Sequence, residues 1–302
     1  MRAVVTGGAG FVGSNLALAL QDKGWDVVIV DDFSSGDFLN LKGFKGKIYA
    51  EGILDFELGS LGRVDAIFHQ AAITDTTVSD QHLMTRVNVD GTKRLLEYAV
   101  REKIPFIYAS SASVYGNAPS PQKEKDAGNP VNLYGLSKWM ADCLATRYMK
   151  KADSLIVGLR YFNVFGPGES YKGKMASMVW KLANQIKDGN SPRIFKWGEQ
   201  ARDQVYVKDV VRANILALGA RESGIVNVGS GKATTFNHIV ETLNKLLGGR
   251  KETDYFDNPY AGCYQEHTQA DLGLARKLIG YEPAWSFEDA VEDYLKKIRF
   301  IH

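Results

Sequence analysis

Cysteine is scarce: Cys143 and Cys263 are the two thiols in 302 residues. Two scattered thiols build no disulfide framework, and they point to a reducing, cytoplasmic setting. Long apolar runs are missing too. No stretch approaches the roughly 18 residues an ordinary transmembrane helix needs, so no membrane partner is expected. The start, Met1-Arg2-Ala3-Val4-Val5, has no basic segment leading into an apolar one, which argues against a secretory signal. Neither sign of charge dominates. Lys and Arg number 37 against 35 Asp and Glu, a formal +2, which gives no reason to expect nucleic acid as a partner. The five histidines are scattered. No Cys/His spacing resembles a zinc site, so no metal is expected. No period or bias marks a collagen, coiled coil, disordered chain or solenoid.

What is present is an ordinary globular composition, 45% hydrophobic and 24% charged, with length for about two domains. Short apolar runs recur at Ala3–Val5, Val27–Val30, Lys47–Ala50, Ala66–Phe68, Phe106–Tyr108 and Leu155–Leu159. Continuous runs of this length read as strands buried on both faces. Between them lie helical patterns, such as Asn15–Lys23 and Val87–Glu102. Such alternation predicts an α/β fold, a Rossmann-type doubly wound parallel sheet. The alternation stops after Gly166-Pro167-Gly168. This places a dinucleotide-binding domain at 1–166 and a smaller α/β substrate-binding lobe at 167–302, the two packed together. The lobe should hold helices near 174–188, 236–247 and 287–299. The strand–helix–strand pattern at about 203–230 is expected to pack back on the first domain.

Chemistry is legible first in Thr6-Gly7-Gly8-Ala9-Gly10-Phe11-Val12-Gly13. It follows a strand, opens a helix and contains GxGxxG. Glycines there permit a tight turn and close approach of backbone to a pyrophosphate, and the helix start offers free N–H groups. Gly7, Gly10, Phe11, Val12 and Gly13 are the candidate contacts. Eighteen residues beyond Gly13 the second strand ends in Asp31-Asp32, acids suited to ribose hydroxyls. Two acids oppose a 2′-phosphate, and no Lys or Arg follows until Lys42, so the charges favour NAD over NADP.

A second signal is Tyr134-Gly135-Leu136-Ser137-Lys138, which sets a tyrosine and a lysine one helical turn apart. A nearby ammonium favours the phenolate, and such a tyrosine can take a proton from a sugar hydroxyl. Taken alone, the pair is common and reads better as an ordinary surface pair on a helix whose apolar face is Leu133, Leu136, Met140, Cys143 and Leu144. Upstream, Ala109-Ser110-Ser111-Ala112-Ser113-Val114-Tyr115-Gly116 leaves a strand at its carboxyl end, the edge where open α/β sheets bind ligands.

Together these segments resemble the extended short-chain dehydrogenase/reductase family, in its nucleotide-sugar-modifying branch. His69-Gln70-Ala71-Ala72, Asn88-Val89-Asp90-Gly91-Thr92 and Arg160-Tyr161-Phe162-Asn163-Val164-Phe165-Gly166-Pro167 extend the likeness over nearly the whole chain. It implies a catalytic trio of Ser111, Tyr134 and Lys138. It implies a tightly held NAD or NADP, with Ile53, Gln70, Ala71, Ala72 and Asn88 beside it. Members often use NADP, against the lean of Asp31-Asp32. Within the branch, Pro167–Met178, Tyr264–Asp271 and Asp75-Thr76-Thr77 look like the ADP-glyceromanno-heptose 6-epimerase group. Such enzymes invert a carbinol carbon through a flat ketone, which calls for proton handling on both faces. The likeness gives the second acid/base to Lys172, with Lys174 two residues away as the alternative. It sets Thr76, Ser111, Asn163, Lys174, Lys181, Phe195, Arg202 and Tyr264 toward a nucleotide-sugar substrate, and implies a homo-oligomer, a pentamer being one form the likeness allows, in surface-glycan precursor supply.

Three other functions compete. A UDP-hexose 4-epimerase would serve both faces with one tyrosine. A 4,6-dehydratase needs an acid beside the catalytic hydroxyl, where this chain has Ala112 and Ser113. A non-enzymatic cofactor sensor would not need the Tyr/Lys pair. Elsewhere the bland readings lead. His69 reads as a structural hydrogen-bonding residue, Cys143 as core, and Lys123–Asp126 as a solvated loop. Trp197 and Phe195 read equally as core or as contacts for a base. Cys263 has no identifiable partner base.

Overall fold

A computed structural model describes residues 1–249, 251–259 and 266–302. The first half alternates β1 (Arg2–Thr6), α1 (Phe11–Asp22), β2 (Asp26–Val30), β3 (Lys47–Tyr49), β4 (Ala66–His69), α2 (Gln81–Thr85), α3 (Gly91–Arg101), β5 (Phe106–Ser111), α4 (Leu133–Met149) and β6 (Ile156–Tyr161). The second half comprises β7 (Asn163–Phe165), α5 (Met178–Lys187), β8 (Arg193–Phe195), β9 (Ala201–Tyr206), α6 (Val207–Ala217), β10 (Gly224–Val228), β11 (Ala233–Thr235), α7 (Phe236–Leu246), β12 (Asp254–Phe256), α8 (Gly273–Ile279) and α9 (Phe287–Lys297). Among the described residues no helix is long and apolar enough to cross a membrane.

The main sheet has seven strands in the order β10-β6-β5-β4-β1-β2-β3, every pair parallel. This is the doubly wound α/β architecture. Strand order reverses between β1 and β4, so their carboxyl ends flank a crevice. Val4, Val5, Val28, Ile29, Ile67 and Phe68 are at most 1% exposed, as strands covered on both faces require. One face packs on α1, α6 and α8, the other on α3 and α4. A third core joins α5, α7 and α9, with Phe165, Tyr206 and the Phe11 ring from the start of α1. That first helical residue is thus a joint between the nucleotide loop and the second lobe.

Several boundaries differ from the sequence reading. The helix expected at Asn15–Lys23 begins at Phe11. The helix expected from Val87 begins at Gln81 and passes through a π turn, Arg86–Asp90, before α3. The one expected from 174 begins at Met178, where Ser177 caps it, and Ser170–Met175 is a tight 3-10 turn. The 203–230 pattern divides between two sheets. β10 joins the main sheet, whereas β9 pairs with β7 and β11. β7 lies before residue 166 yet already belongs to that second sheet.

Helix α4 departs from its expected polarity in its first turns, while Leu144 still packs on the core. Leu136 and Met140 are 43% and 40% exposed, while Lys138 and Asp142 are buried. The reason is a polar core beneath the helix. Arg160 of β6 pairs with Asp142 at 2.9 Å, their side chains 4% and 1% exposed. Tyr108 donates to Asp142 (2.9 Å), and Arg160 also donates to the Tyr115 hydroxyl (3.0 Å) and the Glu124 carbonyl (2.8 Å). Glu124 in turn accepts from the Asn227 amide of β10 (2.9 Å). So the Lys123–Asp126 segment is not merely a solvated loop; its glutamate is a tie to the sheet.

Breaking this pair from one side leaves a buried charge without compensation. Asp142→Ala is expected to cost about 3–5 kcal/mol. Removing both charges, as Asp142→Leu with Arg160→Met, should recover most of it. Urea unfolding measures both variants. A loss below ~1 kcal/mol for the single change would mean that water or another group neutralises Arg160.

Candidate active site

The crevice between β1 and β4 is lined by the glycine loop. Gly7 adopts φ +67°, and a Cβ there would lie 2.5 Å from the Ala71 nitrogen. A Cβ on Gly13 would lie 2.0 Å from the Gly7 carbonyl oxygen. These glycines therefore let β1 turn tightly and α1 start against it. The first turn of α1 holds no acid, and Gly10 gives it no side-chain cap. The N–H groups of Val12 and Gly13 have no carbonyl to reach within the helix. A glycine cradle, uncapped amides and acids after β2 fit a dinucleotide.

The two acids differ. Asp31 is buried and accepts from Ala9 N and Phe33 N, both at 2.8 Å. It shapes the loop, and burial pushes its pKa up against those bonds. Asp32 is exposed, its Oδ1 taken by the Ser34 amide and hydroxyl. Gln70 and Asn88 are likewise engaged. The Gln70 amide exchanges hydrogen bonds with Tyr161 (3.0 Å) and Asn214 (3.0 Å). Asn88, in the π turn, holds Ile73 through N–H and C=O, and donates to Ser137 of α4 (2.9 Å). Ile53 is core, its carbonyl held by Arg94 (2.7 Å). Ala71 and Ala72 are half-buried at the crevice.

Ser111 ends β5, and Tyr134 and Lys138 lie in the first turns of α4, which Asn132 caps through the Gly135 amide (2.8 Å). Burial pushes the Tyr134 phenol up, and the Ser111 hydroxyl draws it back down. The sequence reading assigned a lowering to a nearby ammonium together with an oxidised nicotinamide; in the protein by itself Ser111 supplies one. Lys138 Nζ lies 6.0 Å from the Tyr134 ring centroid and donates to the Ala109 carbonyl (2.9 Å). Burial pulls its pKa down to about 8, opposed by Asp142 one turn on. Ser111 Oγ also accepts from the Ser113 amide and hydroxyl.

The 166–177 loop closes the opposite side. Sequence reasoning named its lysines and missed its anchors, which are too distant in the chain for a local pattern to announce. The Phe11 amide donates to the Tyr171 hydroxyl (2.8 Å). Asn15 donates to the Pro167 carbonyl (2.8 Å), and Asn40 to those of Ala9 (3.1 Å) and Gly168 (3.2 Å). Lys172 is half-buried, its Nζ 5.6 Å from the Phe11 ring centroid. Burial holds its pKa below the usual lysine value. Lys174 is exposed, and its carbonyl accepts from Lys181 Nζ (2.6 Å). Exposed Thr76 reaches Met175 Sδ at 4.0 Å, so the loop after β4 meets this one.

Asn163 and Arg202 lie on paired strands of the second sheet, with Asn163 in register with Gln204. Alternation puts Arg202 and Gln204 on one face. Gln204 was not singled out from sequence, yet its buried Oε1 has no hydrogen-bond partner among the described residues. Asp203 faces the other way and accepts from Ser230, Gly231 and Ala270. Phe195 stands apart in the β8–β12 pair, against Phe256 (centroids 4.9 Å). Trp197 is 68% exposed and so is not core. Tyr264 and Cys263 lie outside the described residues.

The comparisons agree with this geometry. The sequence model of the NAD dependent epimerase/dehydratase family matches residues 3–229, and the chain belongs to that family. The chain is similar to ADP-L-glycero-D-manno-heptose-6-epimerase of Helicobacter pylori, at 42% identity and TM-score 0.93, over 99% of this chain and 96% of that one. It is also similar to a UDP-glucose 4-epimerase of Thermotoga maritima (31%, TM-score 0.91, 99% of each chain). A UDP-N-acetylglucosamine 4-epimerase of Methanobrevibacter ruminantium matches at 31% and TM-score 0.92, over 99% of this chain and 98% of that one. The protein is an NAD(P)-dependent nucleotide-sugar epimerase.

His69 behaves as the structural residue the sequence indicated. It is 2% exposed, its Nδ1 2.7 Å from the Thr6 hydroxyl and its Nε2 2.9 Å from that of Thr92. Burial, helped by Lys138, pulls its pKa down to about 3. The unfolded chain, with a histidine pKa of about 6.5, binds a proton that the native state refuses. Stability from this group is whole above pH 6.5 and drains as pH falls toward 3. It contributes a slope approaching ~1.4 kcal/mol per pH unit in that window. Urea midpoints of wild type and His69→Asn, taken from pH 7 to 4.5, should show a shallower slope for the variant. Equal slopes would place the acid sensitivity elsewhere.

Proposed function

We propose that the chain is an ADP-glyceromanno-heptose 6-epimerase, inverting C6 of ADP-D-glycero-β-D-manno-heptose. The observation that carries the reading is Lys172. It is half-buried, its proton affinity reduced, on a loop tied to α1, whereas Lys174 is in solvent. A desolvated lysine exchanges protons near neutral pH far more readily than a solvated one. The 42% identity to the heptose epimerase, along nearly the whole of both chains, supports the same substrate.

In this reading a bound dinucleotide would supply the hydride acceptor, and then the hydride donor, for inversion of the carbinol carbon. The protein supplies the rest. Val12 and Gly13 amides would hold its phosphate, and Asp32 its ribose hydroxyls. No Lys or Arg lies between Asp31 and Lys42, which favours NAD. Lys138 fixes the cofactor end of α4. Ser111 donates to the carbinol oxygen, Tyr134 handles its proton on one face, and Lys172 does so on the other. Asn163, Arg202, Lys181 and Thr76 hold the nucleotide-sugar, with the lobe after 166 as its platform and the sheet of 1–166 as the dinucleotide's.

Proton NMR of purified protein with ADP-D-glycero-β-D-manno-heptose, without added cofactor, should show inversion at C6. Tyr134→Phe and Lys172→Met should each slow it by about 10²–10⁴-fold, the usual scale for acid–base groups, while Lys174→Met stays near wild type. Stripped protein should recover more activity with NAD than with NADP. No inversion, even after reconstitution, would remove the heptose from the reading. C4 inversion of UDP-glucose that survives Lys172→Met would install the 4-epimerase instead.

A homo-oligomer is part of the same proposal. Leu83 of α2 and Leu136 and Met140 of α4 are 40–45% exposed, an apolar surface suited to a second copy. Sedimentation should give a mass above 33.4 kDa, reduced by Leu136→Glu with Met140→Glu. A monomer at micromolar concentration would remove this part.

A further inference from the structure

The loop that carries Lys172 closes on one buried carboxylate. Glu169 is 0% exposed. Its Oε1 accepts from Gly166 N (3.0 Å) and Ser177 Oγ (2.9 Å), and its Oε2 from Ser177 N (2.6 Å). Both feet of the loop are therefore stapled to one side chain. The Glu169 carbonyl accepts the Lys172 amide (3.0 Å), so the same residue also holds the crown. Ser177 relays the restraint, since the hydroxyl that donates to Glu169 accepts from Trp180 N and caps α5.

A buried carboxylate is costly unless a positive charge stands near it. Among the described residues Glu169 forms no ion pair within 4.0 Å, yet two ammonium groups surround it. Burial pushes the Glu169 carboxyl up; hydrogen bonds from Ser177 and Gly166 and the Lys172 ammonium of its own loop draw it back down, and its charge in turn raises Lys172 and Lys181 of α5. The other titratable groups facing the cluster are phenols. Tyr171 lies beside it with Asp31 and Asp37 beyond, and Tyr294 of α9 is held well above the usual range by burial and by Glu169. Exposed Lys174 completes the loop.

We propose that Glu169 is the positioning residue of the second acid/base: its carboxylate locks the 166–177 loop and is the buried counter-charge of the Lys172 ammonium. This rests on the reading of Lys172 given above. The two duties are separable. A staple fixes where Lys172 sits. A counter-charge fixes how tightly Lys172 holds its proton, opposing the burial and the Lys181 charge that loosen it. A neutral residue of the same shape keeps part of the staple and none of the charge.

The experiment follows the lysine itself. Holoenzyme labelled with ¹³C at lysine Cε is titrated by NMR, with the Lys172 resonance identified by its loss in Lys172→Met. In Glu169→Gln the Lys172 midpoint should fall by about one pH unit or more, since a neighbouring buried charge moves a pKa on that scale. In Glu169→Asp and Ser177→Ala, which keep the charge and disturb the staple, the midpoint should stay near wild type while kcat falls. Should Glu169→Gln not fold, the ¹³C-labelled Glu169 carboxyl of the wild type is titrated instead and should be ionised at neutral pH. An unmoved Lys172 midpoint in Glu169→Gln, or a Glu169 carboxyl protonated at neutral pH in the wild type, overturns the counter-charge. Normal C6 inversion by Lys172→Met would instead remove the role of Lys172 as acid/base, an outcome the titration does not depend on.

Discussion

One close backbone approach organises the crevice, where Gly7 passes the start of the chain after β4. A methyl group at Gly7 would need space that the Ala71 nitrogen already occupies, and its φ of +67° is one that side chains resist. Much else depends on this approach. It brings the ends of β1 and β4 together at the point where strand order reverses. It aims the start of α1 into the crevice, with its uncapped amides toward an anion. It also carries the Phe11 ring into the second core and the Phe11 amide onto Tyr171. One turn of backbone thus fixes the phosphate cradle and the seat of the lysine loop together.

The second constraint is the polar layer under α4. An amphipathic helix ordinarily turns its leucines inward. Here Asp142 and Lys138 face the sheet because Arg160, Tyr108 and Tyr115 already stand there, and a buried guanidinium must find a carboxylate. Leu136 and Met140 are left outside. Sequence patterning assigned the apolar face by hydrophobicity, and the ion pair overrode it. The same override puts Tyr134 and Lys138 where a ligand can meet them. With an inward Leu136 they would have pointed to solvent.

What could be read from sequence was what is local. The buried strands appear as short apolar runs because each must satisfy two covered faces. The glycine loop appears because tight turns admit few residues. The Tyr/Lys spacing appears because a helix repeats. What could not be read depends on distant partners. The π turn at Arg86–Asp90 carries no composition signal, yet it turns Asn88 toward Ile73 and Ser137. Asp31 also shapes its own loop, each of its oxygens accepting from a backbone amide, a tie that no local pattern announces. β7 follows β6 after a single residue and still leaves the main sheet, since β10, from more than sixty positions on, takes the edge beside β6.

Buried Lys138 and half-buried Lys172 illustrate how one effect serves different ends. Burial lowers both, and each has a carboxylate nearby that limits the fall: Asp142 for Lys138 and Glu169 for Lys172. Asp142 has a guanidinium of its own at 2.9 Å, so most of its field is spent on Arg160 and Lys138 settles near 8. Glu169 forms no such ion pair among the described residues; burial raises its pKa, hydrogen bonds from Ser177 and Gly166 oppose that rise, and its charge acts on the lysines around it. A carboxylate held by neutral donors acts on its neighbours more strongly than one already paired. The lysine loop is built around the unpaired kind, which is the arrangement expected where a proton must be held firmly enough to be present and loosely enough to be given.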